Sequence, residues 1–168
     1  MRSIHAILMV AALAACDPMP APAPSPASTG VESITLERTR CFGSCPAYRL
    51  SIARDGAVRF QSLNPGDSTV ATDRIAAAGF DSLAREAERI GFRSFPDVIR
   101  DDDELCGPMA TDLPGARVTI QGSDGTKTVD DYHGCHGQNE RLVRLRRFES
   151  RIDSVAGSSR WVRPATRR

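Results

Sequence analysis

Residues 47–63, AYRLSIARDGAVRFQSL, decide the fold. Tyr48, Leu50 and Ile52 alternate with polar neighbours, and so do Val58 and Phe60 after the Asp55-Gly56 pair. Period-two alternation marks a strand with one buried face, and Asp-Gly between two such runs marks a tight hairpin. Working outward, Ser33–Arg38 alternates in the same way and supplies a strand before the hairpin. After it, Asn64-Pro65-Gly66 turns the chain toward a possible strand at Ser68–Ile75. The period then changes. Phe80, Leu83, Ala84, Ala87 and Ile90 recur at helical spacing, predicting a helix over 76–90 that Gly91 ends, with Phe92 and Phe95 as core plugs.

A second hairpin is expected from strands at 116–121 and 126–132 around the 122–125 turn. A last helix over 139–155 carries Leu142, Leu145, Phe148, Ile152 and Val155 along one stripe. These elements predict a single α+β domain, residues 31–163, with an antiparallel sheet of about five or six strands. Both amphipathic helices should pack on one of its faces, and Trp161 should close the core. Residues 164–168 read as a tail.

The amino end is of a different kind. Arg2 precedes an unbroken apolar run from Ala6 to Ala15, too short to span a bilayer but suited to an export signal. The run ends in Leu13-Ala14-Ala15-Cys16, which resembles the lipobox of bacterial lipoproteins. That resemblance implies that residues 1–15 are removed and that Cys16 is acylated. More than one acyl chain on a residue gives lasting attachment to a membrane. Residues 16–30, rich in Pro, Ala and Ser, then form a semi-rigid spacer. The expected location is the bacterial cell envelope, lipid-anchored and facing the periplasm, with inner versus outer membrane left open by Asp17. Cleavage would take Arg2 from the 22 basic residues and nothing from the 21 acidic ones, so the formal net charge falls from +1 to zero. That balance argues against a nucleic-acid partner.

Four cysteines remain beyond Cys16, and an even number in an exported domain reads as two disulfides. We expect Cys41–Cys45, closing a tight loop that Gly43 permits, and Cys106–Cys135, flanking the second hairpin. The second closure should contribute about 3 kcal/mol. Around the first pair, Arg40-Cys41-Phe42-Gly43-Ser44-Cys45-Pro46-Ala47-Tyr48 resembles the opening of the bacterial domain-of-unknown-function family DUF6438. Later landmarks match it too: Phe92, Thr111-Asp112-Leu113-Pro114, and Asp131-Tyr132 before Gly134. The resemblance covers nearly all of residues 31–161 and implies no activity. Cys106 and Cys135 are an addition to the family pattern.

The Cys41-x-x-x-Cys45-Pro46 motif also resembles the copper site of Sco-type chaperones. That reading implies a metal bound by Cys41, Cys45 and His133 or His136, because two thiolates and an imidazole suit Cu(I). The alternation after Pro46 opposes it, since a thioredoxin-like fold would begin a helix there. His133-Gly134-Cys135-His136 lacks the matched second pair of a zinc site. Asp101-Asp102-Asp103-Glu104 lacks the spacing of a calcium loop and reads as a solvated turn. Arg144, Arg147 and Arg151 share an exposed helix face, with Glu140 one turn before Arg144.

No nucleophile elbow, P-loop, zincin helix or dinucleotide fingerprint is present, so no residue is assigned as catalytic and no cofactor is expected. Asp112 with His133 would need geometry to count as a pair; Thr111–Pro114 reads more simply as a turn whose Asp112 ties down backbone amides. The expectation is a tethered, non-enzymatic domain that binds an envelope protein or small ligand. The alternative is a copper or thiol-redox protein using Cys41, Cys45 and a histidine.

Overall fold

A computed structural model describes residues 29–100 and 104–163. Seven strands form one sheet: β1 Val31–Arg38, β2 Tyr48–Ala53, β3 Ala57–Ser62, β4 Val70–Arg74, β5 Val98–Ile99, β6 Gly115–Gly122 and β7 Gly125–Tyr132. Their order across the sheet is β4-β3-β2-β1-β6-β7-β5. Two helices, α1 Ala77–Arg89 and α2 Glu140–Ala156, complete the α+β fold.

Asp55-Gly56 makes the expected turn between β2 and β3. Gly56 has φ 84°, and the Asp55 carboxylate accepts the Ala57 amide at 3.0 Å. The end of β4 closes over this turn, where Ile75 N–H donates to Gly56 O at 2.9 Å. A Cβ on Gly56 would meet Ile75 O at 2.3 Å, so both conformation and space require glycine here. The helix ends also follow local rules. Gly91 is left-handed after α1, the Asn139 side chain accepts the Arg141 amide at 2.9 Å to cap α2, and left-handed Gly157 stops it.

The sheet departs from expectation in one respect: it has seven strands and is mixed, rather than five or six antiparallel ones. The added strand, β5, pairs parallel to β7, with Val98 opposite Asp130 and Ile99 opposite Asp131. Two residues are too few to show a period, so only tertiary pairing makes them a strand.

Alternate residues of the long strands are buried on one face: Ile34, Leu36, Leu50, Ile52, Val58, Phe60, Val118, Ile120 and Val129. They form one core with Phe80, Leu83, Ala84 and Ala87 of α1 and Leu142, Leu145, Phe148 and Ile152 of α2. Both helices therefore cover the same face, as the period predicts. The opposite face carries Arg49, Arg59 and Arg117 and stays open to solvent. Phe92 and Phe95 are buried, and Phe92 meets Phe148 edge-on at 6.1 Å. Trp161 is only half-buried, capping Phe60 at 5.5 Å rather than closing the core.

Candidate functional site

Strand register lines up one row of residues across the core face: Ser62, Tyr48, Arg38, Ala116, Asp131 and Ile99. Where the adjacent row, Phe60, Leu50, Leu36, Val118 and Val129, is wholly apolar, this end row is largely polar. Above it α2 turns a matching set inward, Arg146, Glu149 and Asp153, one helical turn apart. The result is a charged layer between sheet and helix.

Its contacts are direct. Arg38 donates to Glu149 Oε2 at 3.0 Å and to Asp153 Oδ2 at 2.9 Å. Tyr48 and Ser158 hydroxyls both donate to Asp153 Oδ1 at 2.7 Å. Arg146 grips Asp131 with two bonds, 2.8 and 3.1 Å, and also donates to the Cys135 and Tyr132 carbonyls. His133, just past β7, places Nε2 2.9 Å from Glu149 Oε2 and 3.7 Å from Asp131 Oδ2.

Asp131 and Glu149 are almost wholly buried. Burial pushes the Glu149 carboxyl above its usual range, against the opposing pull of the His133 hydrogen bond. Burial alone would lower the Arg38 guanidinium, yet Glu149 and Asp153 outweigh it and hold it above its ordinary value. Burial, reinforced by Asp153, pushes the Tyr48 phenol up to about 12. Three carboxylates face two guanidiniums here, and His133 is the remaining group able to carry positive charge.

A cleft of about 270 Å³ opens at this end of the sheet, bordered by Arg38, Cys45, Pro46, Tyr48, Pro114 and His133. It joins the edge of the charged layer to the Cys41–Cys45 loop. A larger cleft of about 330 Å³ lies between the end of α1 and β6, lined by Glu88 and by Arg93 and Asp124, which pair with each other. We place the site at the first cleft because its walls combine the distinctive loop with titratable side chains.

Both disulfides have the expected partners. Cys41–Cys45 spans 5.6 Å between Cα atoms and is partly exposed; Cys106–Cys135 spans 4.5 Å and is fully buried. Gly43 has φ 145°, which favours glycine. Phe42 does not join the core: it is 88% exposed. The loop is pinned through backbone, Phe42 N–H to Asp112 O at 3.1 Å, which leaves the ring outside.

The alternative copper set is not brought together. Both thiols are spent in the disulfide, His133 faces two carboxylates, and His136 is exposed with its amide on Pro108 O. Asp112 is also away from the role expected of it. It adopts φ 67°, its carboxylate accepts from Thr111 Oγ1 at 3.2 Å, and its carbonyl rather than its side chain takes an amide. The Glu140–Arg144 pair is present at 3.5 Å on the exposed helix face. Cys16, the export signal, most of the spacer, Asp101–Asp103 and the tail lie outside the described residues.

Arg38, Asp131, Arg146, Glu149 and Asp153 had no site role expected from the sequence, although Asp131 stood among the family landmarks. One signal was available: Glu149 interrupts the stripe Leu142, Leu145, Ile152, Ala156, a position where a charge must be compensated.

Over residues 32–156 the chain matches the family described as Domain of unknown function (DUF6438), and it belongs to that family. Compared with the curated proteins, it matches none.

Proposed function

We propose that the chain is an exported lipoprotein, held to a membrane of the cell envelope through Cys16, whose domain binds an envelope protein at the cleft beside the Cys41–Cys45 loop. The observation that carries this reading is Phe42, a large apolar ring 88% exposed on a loop closed by a disulfide. A rigid, exposed aromatic gains contact area on docking with little entropy to lose. Its position supports the same role. The spacer joins β1 at Val31, whereas the loop follows Arg38 at the far end, about 23 Å away at 3.3 Å per residue. The loop is thus presented away from the point of tethering.

The test is photo-crosslinking in living cells from Phe42, with Arg59 on the open sheet face as control. A discrete adduct from Phe42 and none from Arg59 supports docking at the loop; equal adducts from both, or none from either, contradict it.

A second reading is thiol exchange. Cys41–Cys45 is partly exposed and Cys106–Cys135 is not, and access governs attack on a disulfide. Rapid oxidation of a model dithiol by the protein, abolished in Cys41→Ser, supports this reading.

A further inference from the structure

We infer that Asp131, His133 and Glu149 form a binding site for a divalent first-row transition-metal ion, zinc foremost. The inference is independent of partner docking at Phe42. One donor atom from each residue lies within 4.8 Å of the other two. Tetrahedral zinc with donors about 2.0–2.2 Å away needs them roughly 3.4 Å from one another. His133 Nε2 stands 2.9 Å from Glu149 Oε2 and 3.7 Å from Asp131 Oδ2, on either side of that spacing. Small side-chain shifts would complete the geometry.

A second observation points to the same ligand. Among the described residues Glu149 Oε1 is buried without a hydrogen-bond partner, while Arg38 and His133 both engage Oε2. The oxygen spaced against His133 is Oε2; the orphan, Oε1, belongs to the same 1% exposed carboxylate, is costly to leave bare, and is satisfied without a donor proton by a cation held on both oxygens. The local charge agrees. In formal charge, Asp131, Glu149 and Asp153 outnumber Arg38 and Arg146 by one. Arg146 on Asp131 and Arg38 on Glu149 then orient the two ligand carboxylates, as outer-shell groups do at metal centres.

Two carboxylates and one imidazole favour zinc or its neighbours over Cu(I), which prefers thiolates. His133 borders the cleft and is a quarter exposed, so an ion reaches the site past it. Three protein ligands leave a fourth position for water or for a ligand's donor atom.

The test is calorimetric titration of the chelator-treated protein with zinc chloride, alongside His133→Ala, Glu149→Gln and the exposed control His136→Ala. We expect one equivalent bound by the wild type and by His136→Ala, with at least a tenfold loss of affinity in His133→Ala and Glu149→Gln. Cobalt substitution should give a tetrahedral visible spectrum that His133→Ala abolishes. Should Glu149→Gln fail to fold, His133→Ala decides alone. Absence of stoichiometric uptake by the wild type overturns the proposal. Uptake undiminished by His133→Ala, or lost with His136→Ala, overturns it equally.

Discussion

The Tyr48 hydroxyl donates to Asp153 Oδ1 at 2.7 Å, tying β2 to α2 across the end of the hydrophobic core. Tyr48 is the residue that closes the Cys-Pro-x-Tyr run, so the distinctive loop and the buried charged layer are joined by one side chain.

This bond sets a pH dependence. Burial and then the charge of Asp153 raise the phenol from 10.0 to about 12. A folded pKa above the unfolded one means that the contribution is full below about pH 10 and is lost as pH rises through about 12. Tyr48→Phe should remove the alkaline step in an ultraviolet titration and cost about 1.5 kcal/mol at neutral pH in urea unfolding. Loss of an ordinary phenol step, rather than a raised one, on Tyr48→Phe substitution would contradict the bond.

Arg146 should be among the most sensitive charged positions. Arg146→Met strips Asp131, which is 0% exposed, of both its guanidinium bonds. Leaving a buried carboxylate uncompensated costs about 3–5 kcal/mol. Adding Asp131→Asn should recover part of that loss, because the charge leaves with its partner. Denaturant midpoints of the two variants check the ordering.

The disulfides should separate under reductant. Cys41–Cys45 is partly exposed and should open under mild conditions with the fold intact, whereas Cys106–Cys135 should open only on unfolding. Thiol labelling read by mass spectrometry distinguishes the two. Replacing Cys106 and Cys135 together by Ala should cost about 3.5 kcal/mol, given the 29-residue separation they close.

Two glycines with positive φ should respond unequally to alanine. At Gly43 a Cβ meets, among the described residues, only Cys41 Sγ at 3.9 Å, so strain is confined to the backbone, about 1–3 kcal/mol. At Gly56 the same methyl lies 2.3 Å from Ile75 O, and the turn must also move. Gly56→Ala should therefore melt at the lower temperature.

The sequence displayed the fold wherever a local period was long enough to read. Tyr48–Ile52 and Val58–Phe60 carried the hairpin, and Phe80–Ala87 and Leu142–Ile152 carried the helices. Val98-Ile99 escaped because a two-residue parallel strand exists only through its pairing with β7. The site was less legible for a related reason. Arg38 and Asp131 sit in the core phase of their strands, and Glu149 in the core stripe of α2. Their partners come from positions roughly a hundred residues away, in the case of Arg38, and only the folded register pairs them. His133 was singled out as a metal ligand, but with thiolates. Its neighbours proved to be carboxylates, and Cys41 and Cys45 are bonded to each other.

The tether through Cys16 is tested most directly by the mass of the protein purified from bacterial envelopes. The result predicted is a chain beginning at Cys16, lacking residues 1–15 and carrying acyl groups on that residue, with Cys16→Ser left uncleaved and unlabelled by palmitate. A full-length unacylated wild type, or efficient processing and labelling of Cys16→Ser, would contradict it.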